Sequence, residues 1–180
     1  EEGLWSGLEY LLKAIIPVAE EEQVQMGLHP DDPSFNVRGR PRIIKDGAAL
    51  QRLVDIVPSA ANGITFCPGS LATNRRNDVV DIAEKLWPHF IFCHFRNIRF
   101  LTAAEIAGEA AFLETYHEDE KGAVPLVALL KLLHEKGCKA PYRADHAPGM
   151  YGHEANFGYG LVARAQGLSF LQGVLRGLGA

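Results

Sequence analysis

The sequence predicts an α/β fold of the TIM-barrel type, present as four β/α units that make up half of an eight-stranded barrel. Three observations predict it. Segments with helical apolar spacing alternate with short apolar runs of strand length along the chain. Such alternation implies parallel pairing, because each helix must return the chain to the same edge before the next strand begins. None of the strand ends carries the G-x-G-x-x-G phosphate turn that marks a doubly wound dinucleotide fold.

The elements follow in order. Leu4, Leu8, Leu11, Leu12, Ile15 and Ala19 recur at helical spacing, and Pro17 is expected to bend or divide that helix before the acidic run Glu20 to Glu22 closes it. Residues 24–28 read as the first strand, stopped by His29-Pro30-Asp31-Asp32-Pro33, whose two prolines force a loop. Asp46 is placed to cap a helix through Leu50, Leu53, Val54 and Val57, after which Asn62-Gly63 turns into a strand over 64–67 that ends at Pro68-Gly69. A third cycle runs from Asn77 through Val80, Ile82, Ala83 and Leu86, past Pro88, into a strand over 90–95. A fourth takes 124–135 as helix, Gly137 as its C-terminal stop and 141–144 as strand. Residues 102–116 have helical character and read as an insertion after the third strand, and 160–178 supply a last helix loosened by Gly167, Gly173 and Gly177.

With 180 residues, 47% hydrophobic and 22% charged, the chain has the balance of a globular domain, not of a collagen-like, low-complexity or mainly disordered one. Residues 1–180 read as a single domain, yet a closed barrel takes about 250 residues. A half-barrel leaves the outer edges of two parallel strands unpaired, so something must cover them. The expectation is the C-terminal half of a longer chain, completed by missing strands, by the other half of the barrel or by a homo-oligomer. A net charge of -4 without a recurring basic stripe argues against a nucleic-acid partner. No run approaches the ~18 apolar residues of a membrane span, and the opening Glu1-Glu2 is unlike a secretion signal. Cys67, Cys93 and Cys138 cannot all pair and read as thiols in a reducing compartment, with the cytoplasm as the expected location.

Each of the four expected strands ends in a residue able to bind a divalent cation: His29, Cys67, His94 and Asp145, spaced 38, 27 and 51 residues apart. Parallel neighbours lie about 4.8 Å apart and deliver their C-terminal ends to one rim, where such residues can converge on a single ion. Imidazole, thiolate and carboxylate together suit zinc, manganese, iron or cobalt, whereas magnesium and calcium prefer oxygen throughout. Each position also has a plain structural use: a buried apolar thiol for Cys67 or Cys93, a backbone-satisfied imidazole for His29 or His94, a cap for Asp145. Strand alternation sends Cys93 to the side opposite His94. His117 and His153 lie in loops after strands and are within reach of the rim, whereas His89, His134 and Cys138 are not expected to take part.

The runs His29-Pro30-Asp31-Asp32-Pro33, Gly63-Ile64-Thr65-Phe66-Cys67 with Gly69-Ser70-Leu71, His94-Phe95-Arg96-Asn97 and Asp145-His146 resemble the mannonate dehydratase family, in its C-terminal half. Phe112-x-Glu114-x-x-His117 and Gly158-Tyr159 add to the likeness. The resemblance implies a metal-dependent β/α barrel, a hydro-lyase that converts D-mannonate to 2-keto-3-deoxy-D-gluconate in hexuronate breakdown. It further implies a divalent cation, usually manganese, with Fe2+, Co2+ or Zn2+ as other candidates, held by His29, Cys67, His94 and Asp145. By the same resemblance His146 and Tyr159 are the acid–base residues, and Arg96 and Arg143 meet the substrate's carboxylate or hydroxyls. The chain departs from the family pattern at Phe157, at Gly122-Ala123-Val124-Pro125, where two acidic side chains are lost, and at Ala147, where glycine is usual.

Two other readings stand beside this one. A metal-dependent sugar isomerase on a related barrel shares the removal of a proton beside a polarised oxygen. An inactive half-barrel or assembly module would retain the metal residues and lack the other wall of the substrate site. The two arginines also have an alternative use, pairing with carboxylates near the strand ends.

Overall fold

The computed structural model describes residues 1–102, 112–152 and 159–179. Helix α1 (Glu2–Glu21) leads to strand β1 (Met26–Leu28), α2 (Gly47–Ile56) to β2 (Asn62–Phe66), and α4 (Val79–Leu86) to β3 (Phe90–Phe95). The short helix α3 (Pro68–Ala72) follows β2 directly. After β3 come β4 (Asn97–Phe100) and β5 (Phe112–Thr115), then α5 (Leu126–Glu135), β6 (Tyr142–Ala144) and α6 (Leu161–Gly177). Strands β1, β2, β3 and β6 form one sheet in that order, all parallel, as the alternating pattern requires. The fold is that of a partial β/α barrel.

Local chemistry explains the element ends. The Asp46 carboxylate accepts from the Ala49 backbone N–H at 2.8 Å and starts α2, and Asp78 accepts from Val80 and Asp81 to start α4. Each satisfies donors that the first helical turn leaves without a partner. Gly137 stops α5 with φ of 70°, in the left-handed region. Four helices turn apolar stripes into the core shared with the strands: Trp5, Leu12 and Ile16 from α1, Leu50 and Leu53 from α2, Ile82 and Leu86 from α4, Leu129 and Leu133 from α5.

A bulge aims β3. Ile64 pairs with Phe90 and Thr65 with Phe92, so Ile91 is the extra residue. Phe90, Cys93 and Phe95 are buried, whereas Ile91, Phe92 and His94 are half-buried. The thiol of Cys93 thus lies in the core, away from the face that carries His94.

Two expectations need correction. Pro17 does not divide the first helix, which runs unbroken from Glu2 to Glu21. The stretch over 102–116 was expected to be helical, but Phe112–Thr115 is a strand, antiparallel to β4 through pairs such as Ile98 with Glu114. Residues 103–111 of that stretch lie outside the described residues, as does His153. No helix among the described residues is long and apolar enough to cross a membrane.

Candidate metal and acid–base site

The C-terminal ends of the parallel strands bring three of the four expected donors together. One ligand atom each from His29, Cys67 and Asp145 lies within 4.8 Å of the others. The fourth is beside them: the His94 Nδ1 is 3.8 Å from Asp145 Oδ2, and its ring centroid is 5.2 Å from that of His29. Strand geometry sets this convergence. His29 directly follows β1, Cys67 follows β2, His94 lies one residue before the end of β3 in register with Arg143 of β6, and the Asp145 backbone N–H extends the sheet by donating to Phe95 O at 2.7 Å.

Burial and neighbouring charges set the protonation of these groups. Burial pushes the Cys67 thiol up, but its hydrogen bond with His29, the charge of Arg96 and the Ser70 hydroxyl outweigh burial and hold the thiol below its usual range. Arg96 Nη2 donates to Ser70 Oγ at 3.1 Å, so the hydroxyl is left to donate to Cys67 Sγ, also at 3.1 Å. For His29, burial opposes the charged form, yet Cys67, the Pro30 carbonyl and Asp145 raise its pKa above the ordinary histidine value. Burial lowers His94 to about 4, against the opposing charge of Asp145, so it is a neutral imidazole at pH 7. The Asp145 carboxyl is disfavoured as an anion by burial but held below the usual range by His146, His94 and Arg143.

A direct sign of fit is the His94 Nδ1, which is buried without a hydrogen-bond partner among the described residues. A buried polar atom left unpaired carries a cost that a ligated ion would remove. The set of thiolate, imidazole and carboxylate is one that first-row divalent metals accept.

Next to these donors stands a second cluster. His146 Nδ1 is 2.5 Å from Glu114 Oε1, and its ring meets Tyr159 edge-on with centroids 4.5 Å apart. Ala147 and Tyr159 form an isolated parallel bridge, which holds Tyr159 beside the strand end. Arg143 Nη2 donates to Asp145 Oδ1 at 2.7 Å, with its side chain partly open to solvent.

Arg96 departs from expectation. The sequence reading gave it to the substrate, but it is 1% exposed, and its guanidinium is taken up by this chain's own groups. Nη1 donates to Glu114 Oε1 at 2.8 Å, and Nη2 donates to both Asp32 oxygens at 2.8 Å. A Cβ on Gly69 would lie 2.3 Å from Arg96 Cγ, so only glycine lets α3 pass this close. The alternative of carboxylate pairing describes what Arg96 does.

Three residues outside the expected set therefore enter the site: Asp32, Ser70 and Glu114. Asp31 anchors the loop that carries Asp32, its Oδ2 accepting from the Ile43 and Ile44 backbone N–H groups at 2.9 Å each. Glu114 was visible in the sequence only as part of Phe112-x-Glu114-x-x-His117. The same segment carries His117, which does not join the cluster: it is buried, its Nε2 donating to the Phe95 carbonyl at 2.8 Å.

Residues 1–180 match the family described as D-mannonate dehydratase (UxuA). The mannonate dehydratase of Enterococcus faecalis is 41% identical over 174 residues, covering 97% of this chain and 47% of that protein. That of Shouchella clausii is 38% identical over 174 residues, with 97% and 47% covered. The crystal structure of mannonate dehydratase from Streptococcus suis serotype2 superposes with a TM-score of 0.89 at 38% identity, over 97% of this chain and 49% of that one. A xylose isomerase domain protein from Planctomyces limnophilus superposes at 0.67 with 17% identity, over 97% of this chain and 53% of that one, which shows a shared fold alone. The chain spans about half the length of the curated relatives it matches. With residues 1–180 matched by the family model, the chain belongs to the D-mannonate dehydratase (UxuA) family.

Proposed function

We propose that this chain carries the cation-binding and proton-transfer part of a mannonate dehydratase, a hydro-lyase that converts D-mannonate to 2-keto-3-deoxy-D-gluconate and water. The observation that carries the reading is the meeting of His29, Cys67 and Asp145 within 4.8 Å, next to an imidazole already hydrogen-bonded through one nitrogen. His29, Cys67, His94 and Asp145 hold a divalent cation, with manganese first and Fe2+, Co2+ or Zn2+ as the other candidates. The bound cation supplies Lewis acidity to the substrate's carboxylate and its neighbouring hydroxyl.

The chain's own residues do the rest. The dehydration breaks the C2–H bond and the C3–O bond, and the resulting enol becomes the 2-keto acid. His146 is the base for the C2 proton, since it lies beside the donor cluster and keeps one ring nitrogen free of Glu114. Tyr159, against His146, protonates the departing hydroxyl so that it leaves as water. Arg143, partly exposed and next to Asp145, meets the substrate carboxylate. Arg96 acts through Asp32 and Glu114, without touching the substrate. The three free thiols support a reducing, cytoplasmic setting, and hexuronate breakdown is the matching metabolic role.

The test is turnover of D-mannonate by the purified protein, stripped of metal and then supplied with Mn2+. Appearance of a 2-keto-3-deoxy acid, identified by NMR, supports dehydration. An isomerised sugar acid with no loss of water would replace this reading with the isomerase, and metal binding without turnover would leave a half-barrel that needs its other wall.

A further inference from the structure

We infer that Glu114 is a positioning residue that fixes the tautomer of His146, and that Arg96 and Asp32 hold Glu114 in place to do so. The inference rests on the reading of His146 as the proton-transfer group. Its geometry is a chain of contacts from one wall of the site to the other. Asp32 receives Arg96 Nη2 through both oxygens at 2.8 Å, Arg96 Nη1 reaches Glu114 Oε1 at 2.8 Å, and the same oxygen lies 2.5 Å from His146 Nδ1.

The tautomer follows from donor and acceptor roles. An ionised carboxylate only accepts, so the hydrogen of the contact belongs to Nδ1. A neutral His146 then carries its lone pair on Nε2, the nitrogen left to take a proton. When it does, the C2–H bond breaks, an Nε2–H bond forms, and the electron pair stays with the substrate carbon. Glu114 already faces the ring that becomes positive.

Glu114 cannot drift from this place. It sits on β5 in register with Ile98 of β4, and Arg96 immediately precedes β4, so the two side chains rise from adjacent strands. The Arg96 guanidinium is buried and has two carboxylates and a hydroxyl as partners. A planar fork with fixed partners at both ends restrains the carboxylate more tightly than a single contact would. The edge-on contact with Tyr159 limits the ring's remaining rotation. A ring held by a hydrogen bond on one nitrogen and by an aromatic neighbour offers its other nitrogen in a constant direction, which is what efficient proton transfer requires.

The deciding measurement is the tautomer itself, read from ring 15N shifts of His146 in histidine-labelled, metal-free protein, with a His146→Gln sample to assign the signal. The Nδ1–H form, the minor one for a free imidazole in water, is expected. Finding the Nε2–H form in the unsubstituted protein would overturn the inference. Glu114→Ala should release the ring toward the Nε2–H form and lower kcat about 100-fold or more, with KM and bound Mn2+ little changed. Glu114→Gln keeps an oxygen facing Arg96 and Nδ1, so it should retain the tautomer and guard against a simple folding defect in the alanine variant. Equal tautomer populations in Glu114→Ala and the unsubstituted protein would also overturn it. Turnover of D-mannonate bears on the proposed function, whereas the 15N shifts, read without substrate or metal, decide the role of Glu114 on their own.

Discussion

Cys67 and Cys93 are the same residue type at the ends of neighbouring strands, and their surroundings give them opposite chemistry. Cys67 keeps a hydrogen bond with His29 and the charge of Arg96, which hold its thiol down against burial. Cys93 faces the helical layer, where burial, with Cys138 and Cys67 nearby, pushes its thiol far up. Cys67→Ser should therefore cut Mn2+ affinity by more than about tenfold, the smaller loss typical of groups that only support a ligand, as read by equilibrium dialysis. Cys93→Ala should leave the affinity unchanged and cost about 1 kcal/mol in urea unfolding; equal losses of affinity would refute the assignment. His117 makes a pH prediction of a different kind. Burial lowers its pKa below the ordinary 6.5, against the opposing pull of the Phe95 carbonyl, Glu118 and Asp145. The unfolded chain then takes up a proton before the folded one, so the stability contributed by neutral His117 is present above 6.5 and is lost as the pH falls toward the folded value. Urea midpoints at successive pH values below 6.5 should fall less steeply for His117→Gln than for the unsubstituted protein. Parallel slopes would remove His117 as a source of acid sensitivity.

At the scale of elements, the four β/α cycles were legible because apolar periodicity and strand length are local signals. Phe90 to Phe95 carries enough consecutive apolar residues to mark a strand on its own, and Asp46 marks a helix start by its chemistry. The strand Phe112–Thr115 was not legible, because its conformation is set by pairing with Asn97–Phe100 across the sequence, not by its composition. The convergence of His29, Cys67 and Asp145 was legible for the same reason as the strands they follow. Asp32, Ser70 and Glu114 stood within the sequence motifs, but their grouping was not legible, since only the buried guanidinium of Arg96 brings them together. Helix α6 shows a similar gap. Gly167 read as a loosening residue, yet a Cβ there would lie 2.3 Å from His117 Nδ1, so it is a packing contact. Gly167→Ala should destabilise the protein by ~1–3 kcal/mol through overpacking, despite alanine's better helix propensity. Gly173→Ala, with nothing within 4 Å of the new Cβ, should stabilise it by up to about 1 kcal/mol. Thermal melts of the two variants separate these effects, and stabilisation by both would show that α6 yields at Gly167.

At the scale of the whole molecule, the sheet has two interior strands and two edges. Strand β2 pairs with β1 and β3, and β3 pairs with β2 and β6, while β1 and β6 each have one partner among the described residues. Apolar surface gathers by the first edge: Met26 is 40% exposed and Leu11 of the adjoining helix 50%. An eight-stranded barrel closes both edges at once, and the relatives are about twice this chain's length. Backbone amides report directly on whether anything occupies those edges, because an N–H that points away from its one partner strand exchanges with water without any unfolding. In hydrogen exchange on this chain alone, amides of β2 and β3 should be the slowest, and alternate amides of β1 and β6 should exchange early. The rim donors make the consequence functional, since His29 follows edge strand β1 and Asp145 follows edge strand β6. With His29 and Asp145 as the proposed ligands, fraying at either edge would separate the cluster, so added Mn2+ should slow exchange at β1 and β6 more than at β2 and β3. Uniformly slow exchange across all four strands without metal would mean that a second copy already covers the edges, and the apolar surface at Leu11 and Met26 would then be the place to look for it.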